Sequence, residues 1–61
     1  MKEKIKKLIA DKIMEQAKIN LLIQNLSALN LLDNDTLAGL LHDKAMLEED
    51  IDKLKEILKS V

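Results

Sequence analysis

Aromatic residues are missing altogether from this 61-residue chain, and so are cysteine and proline. Without Phe, Tyr or Trp, no single side chain supplies the large buried area of an aromatic ring, so any core has to be assembled from many aliphatic contacts. Without Cys there is no disulfide staple and no thiolate for a zinc site, which argues against a stapled secreted scaffold. The absence of Pro and the presence of a single Gly leave little to interrupt a helix. Long apolar runs are also missing. The longest charge-free stretch, Ile19 to Leu32, is 14 residues and includes Asn20, Gln24, Asn25 and Asn30. That is too short and too polar to span a bilayer. The N-terminal lysines are followed by an apolar run that Asp11 and Lys12 break, so the start does not read as a signal peptide, and a cytoplasmic protein is the expectation.

Size bounds what remains. A domain of about 60 residues buries only about 60% of its unfolded surface and is marginal alone. Small scaffolds without staples or metals usually add an interface instead.

What is present is helical periodicity. From Ile5, apolar residues recur at Leu8, Ile19, Leu22, Leu26 and Leu29, a heptad seam widened by Ile9 and Ile23. Lys12 and Glu15 occupy seam positions in that frame, and Ile13, Met14, Ala17 and Leu21 form a second strip on the other side. In the second half Leu37, Ile51 and Leu58 fill one seam position and Leu40, Leu47, Leu54 and Val61 the other. Lys44 is the intruder, and Leu41 and Ile57 flank the seam.

The two stripes are separated by Leu32-Asp33-Asn34-Asp35-Thr36. Asp33 is a good N-cap, able to accept from the free amides of Asp35 or Thr36. Leu32 and Leu37 stand where a hydrophobic staple forms, Asp35 suits the helix dipole, and Asn30 suits a left-handed helix end. The expectation is one domain, 1–61: helix 2–30, turn 31–33, helix 34–60. A turn this short makes the helices antiparallel. Gly39, beside Ala38, either admits close approach of the facing helix near Ser27 and Ala28 or is a tolerated accident, and the sequence does not decide between them.

Charge is segregated under a net value of −1. Lys2, Lys4, Lys6, Lys7 and Lys12 crowd the start, whereas Asp33, Asp35, Asp43, Glu48, Glu49, Asp50 and Asp52 lie at or after the turn. Folding back brings Lys55 and Lys59 to the basic end. Lysines at a helix N-terminus oppose the dipole, and a two-fold dimer of oppositely pointing hairpins would set each basic end beside an acidic turn. Such a dimer also brings Lys44 near Asp11 or Glu15 of the other chain. Lys12, Glu15 and Lys44 then either form an inter-chain polar layer fixing register or snorkel to water.

No constellation points to catalysis or to a cofactor. Asp33-Asn34-Asp35 begins like a calcium loop, but Ala38 stands where glycine is needed and Lys44 where the closing carboxylate belongs. His42, the one histidine, falls on the outer face of the second helix without further ligands. Ser27 and Thr36 have no histidine to activate them. The run Glu48-Glu49-Asp50 reads as a solvated helix face. The expectation is therefore a non-enzyme with no metal and no cofactor.

The segment Ile19 to Leu26, apolar on two faces with Asn and Gln in place of charge, is the best interface candidate. Leu8, Ile19, Leu22, Ile23, Leu26, Leu29, Leu40, Lys44, Leu47, Ile51 and Leu54 are assigned to a homodimer interface. Met14 and Leu21, with Lys2, Lys4, Lys6 and Lys7, are the candidates for contact with a further partner.

Leu32-Asp33-x-Asp35 at the turn and Leu41-His42-Asp43-x-Ala45 in the second helix resemble the plasmid Rop family, covering under a fifth of the chain. The resemblance implies an all-α helical hairpin that dimerises into an antiparallel four-helix bundle. The family contacts RNA through polar residues and a phenylalanine on its first helix. This chain has no aromatic there, so that site is not carried over. With no Arg for base contacts and no ring for stacking, RNA ranks behind a protein partner. The expected function is a small regulatory or adaptor module, with Rop-like RNA binding in plasmid or phage replication as the alternative.

Overall fold

Every residue from 1 to 61 is described by the computed structural model, which consists of two helices and no strand: α1, Lys2–Ala28, and α2, Asn34–Lys59. Lys12 meets Asp50 and Gln16 meets Lys44, so partners fall in number along α2 as they rise along α1. The helices are antiparallel. The result is a rod of 46 × 15 × 10 Å.

The turn is built from backbone needs. α1 ends at Ala28, two residues short of the expected limit, because Asn30 takes the left-handed conformation at φ 57°. The Asn30 amide then donates to the Ser27 carbonyl at 3.1 Å and the Leu31 amide to the Leu26 carbonyl at 2.8 Å. These are the paired closing bonds of a Schellman end, and they satisfy carbonyls that the helix leaves open. Asn tolerates this conformation better than other residues bearing a Cβ. Extended Asp33 opens α2, accepting from the Thr36 amide at 2.6 Å. That hydrogen bond first, and the Thr36 hydroxyl second, hold the Asp33 carboxyl below its ordinary value; slight desolvation acts the other way. Leu32 before the cap and Leu37 four residues after it are both half-buried, as staple positions should be. α2 closes at Lys59, one residue before the expected limit.

The helices meet along one seam. On α1 it runs through Ile5, Ile9, Lys12, Gln16, Ile19, Ile23 and Leu26, and on α2 through Leu37, Leu40, Lys44, Leu47, Ile51, Leu54 and Leu58. Steps alternate between three and four residues, the spacing of knobs into holes. The α1 seam differs from the one read off the sequence: Ile9, Gln16 and Ile23 face α2, while Leu8, Glu15, Leu22 and Leu29 lie on its flank. The reason is electrostatic. Turning the Glu15 row inward would bury a carboxylate that shares a groove with Asp43 and Asp50. Turning Gln16 inward buries a neutral amide, whose Nε2 donates to the Lys44 carbonyl at 3.4 Å.

The interior is thin. Only Ile5 and Ile51 are buried, and twelve large apolar residues are exposed. The accessible surface is 4838 Å², against roughly 4,000 Å² for a compact protein of this mass. Gly39 makes no close approach: a Cβ built there meets nothing within 4 Å, so the expected contact near Ser27 and Ala28 is absent.

Candidate protein-binding surface

Around the shared seam the rod presents two grooves of different chemistry. Beside it, on the flank that carries Leu8, Leu22 and Leu29, a shallow groove of about 340 Å³ runs past Glu15, Ile19, Asp43, Met46, Leu47 and Asp50. Along α2 the carboxylates of Asp43 and Asp50 bracket apolar Met46 and Leu47, with Glu15 and Ile19 facing them from α1. Glu15, Asp43 and Asp50 all line this groove, but no group of three or more His, Cys, Asp or Glu residues is placed so that it could hold a metal ion. On the opposite flank a groove of about 430 Å³ lies between Ile13 and Gln16 of α1 and Lys44, Glu48 and Lys55 of α2.

The polar residues within the seam are answered inside the hairpin. Lys12 Nζ lies 3.4 Å from Asp50 Oδ2, with the lysine side chain 31% exposed and the carboxylate 48%. Of the two readings of Lys12, an inter-chain layer or a side chain reaching water, the hairpin adds a third contact: a carboxylate supplied by its own α2. Glu15 lies outside the hairpin seam and is exposed. Lys44 remains half-buried with no ion pair of its own.

Of the residues assigned to a dimer interface, Ile51 is buried, and Ile19, Ile23, Leu26, Leu40, Lys44, Leu47 and Leu54 are half-buried within the hairpin seam. Leu8, Leu22 and Leu29 are exposed, Leu29 at 67%. The turn-proximal α1 flank is therefore the most open apolar part of that set. Met14 and Leu21 are exposed on the side of α1 turned away from α2, at 60% and 57%. Met46, exposed in the acidic groove, was not singled out in the sequence. Its signal was its step of one residue from the Leu47 seam position, too weak to read without knowing which flank is open.

Lys2, Lys4, Lys6 and Lys7 are exposed at the end of the rod that also carries Lys55 and Lys59. Two i,i+3 pairs, Glu3–Lys6 and Glu56–Lys59, each at 3.6 Å, relieve part of this charge. Both pairs are solvent-exposed, so their energetic weight is small. His42 is exposed on the outside of α2. No helix is long and apolar enough to cross a membrane.

Comparison with protein-family models, with curated proteins and with solved structures finds no match to this chain.

Proposed function

We propose that this chain is a small non-catalytic module that pairs with a second copy as a four-helix bundle and regulates or escorts a protein partner. The observation that carries the reading is the mismatch between apolar content and interior. Hydrophobic residues make up 48% of the chain, yet two residues are buried. Exposed apolar area on this scale marks an interaction surface. The flank bearing Leu8, Leu22 and Leu29 continues directly from the hairpin seam, so a second hairpin laid there extends one apolar centre. Met14 and Leu21 lie away from that flank and remain for the protein partner. The resemblance to the Rop family at the turn and at Leu41-His42-Asp43-x-Ala45 supports the same architecture.

The test is binding from native extract to the wild-type chain, a Leu21→Glu variant and a Lys2/Lys4/Lys6/Lys7→Ser variant, across a salt series. A protein partner lost with Leu21→Glu, retained by the lysine variant and little affected by salt is the expected result. RNA captured with steeply salt-dependent affinity that follows the four lysines would replace this reading with the RNA-binding one.

A further inference from the structure

We propose that the outer face of α1 seats α1 of another copy, antiparallel, with Met14 against the partner's Ala17 and Leu21 against the partner's Ala10. The proposal rests on reading that face as an interaction surface, and gives it a copy of this chain as an occupant beside the foreign partner.

Ala10, Met14, Ala17, Leu21, Gln24 and Ala28 are all exposed and follow one another at steps of four, three, four, three and four residues. This is a second seam, as regular as the one facing α2, on the side of α1 that the hairpin leaves open. No charged residue interrupts the row from Ala10 to Ala28. A surface helix in water normally spends such a face on charge.

The order of sizes within the row picks the occupant. In an antiparallel helix pair, the two classes of seam position face each other across the interface. Here one class holds Ala10, Ala17 and Gln24, and the other holds Met14, Leu21 and Ala28. Two copies therefore set large against small twice over, and Ala at the crossing lets the axes approach toward the short end of the usual 8–10 Å. A parallel pair would set Met14 on Met14 and Ala17 on Ala17, alternating bulges with gaps that close packing does not tolerate.

Charge agrees with the same register. Lys4, Asp11, Lys18 and Asn25 form the row along one side of this seam. With Met14 opposite the partner's Ala17, Asp11 lies within two residues of direct opposition to the partner's Lys18, and the two-fold axis repeats the pair. Neither Asp11 nor Lys18 has an ion pair within the hairpin. Lys7 falls opposite the partner's Gln24 and Lys4 near its Ser27, so no like charges meet. The contact uses none of Leu8, Leu22 or Leu29, so it adds copies to the bundle instead of replacing it, and it competes with any foreign helix for Met14 and Leu21.

The chain has no cysteine, which permits a clean register test. An Ala10→Cys chain mixed with a Leu21→Cys chain should form a mixed disulfide under oxidising conditions, whereas either chain alone should form none. In this register two copies of the same position stand about 16 Å apart along the axis, beyond disulfide reach. Links within a single variant, or no link between the two, would overturn the proposal. Circular dichroism of each variant confirms that the hairpin is intact. Surface charge swaps give a second reading that does not touch the seam. Asp11→Lys or Lys18→Asp alone should weaken association roughly two- to thirty-fold, and the double swap should restore it; equal affinities in all three would also count against the contact. Leu22→Glu tests the bundle and leaves this contact in place, so the failure of one is distinguishable from the failure of the other.

Discussion

Asp33, Asn30 and Gly39 show how single positions set the turn and the start of α2. The Asp33 carboxylate is held below its ordinary value by the hydrogen bond from the Thr36 amide. A carboxyl lowered in the folded state contributes stability that is present above its unfolded value, near pH 4, and lost as pH falls through the lower folded value. Asp33→Asn keeps a capping oxygen but not the charge. Thermal melts of the two chains should therefore differ most at neutral pH and converge in acid; a difference that stays constant would show that the charge contributes nothing. Two alanine substitutions should act in opposite directions. Gly39→Ala meets open space within a helix and should stabilise by about 0.5–1 kcal/mol, read by denaturant titration. Asn30→Ala at φ 57° should destabilise by about 1 kcal/mol in the same titration. The cap at Asp33 and the left-handed Asn30 were legible in the sequence because each depends on local backbone chemistry. The role of Gly39 was not, because the space facing a residue depends on where the other helix lies.

Each helix owes its existence to periodicity, and periodicity was plain in the sequence. What the sequence left ambiguous was which of two adjoining rows on α1 turns toward α2, since Ile5-Leu8-Lys12-Glu15 and Ile5-Ile9-Lys12-Gln16 both repeat at heptad spacing. The choice follows from a pairing that only the fold reveals: Asp43 and Asp50 share a groove with Glu15, whereas a backbone carbonyl waits for Gln16. Lys12 is tolerated in the seam because Asp50 answers it. A double-mutant cycle on Lys12→Ala and Asp50→Ala should give a coupling of about 0.2–1 kcal/mol, at the low end because the carboxylate is 48% exposed, and it should shrink with added salt. Zero coupling at low salt would show that Lys12 finds its compensation elsewhere. Lys44 has no such partner in the hairpin. Lys44→Leu should therefore raise the melting temperature, while a lower one would mean that the lysine is matched in the assembly.

At the scale of the whole molecule, the hairpin hides too little of itself. An unfolded chain of 6.9 kDa exposes roughly 10,000 Å², so the 4838 Å² that remains means that about half is buried, against about 60% for a compact domain of this length. The radius of gyration, 14.2 Å, exceeds the roughly 10.5 Å of a compact chain for the same reason. Two helices 27 and 26 residues long present long faces to solvent, and a single contact covers one face of each. The overall hairpin was readable from the sequence; the distribution of its uncovered faces was not, because it depends on how the helices are rotated. Sedimentation equilibrium, followed by thermal melts over a hundredfold range of concentration, examines the association most directly. The expected result is a mass of at least two chains at micromolar concentration, with a melting temperature that rises with concentration. A 6.9 kDa particle that melts cooperatively at one temperature throughout that range would contradict it.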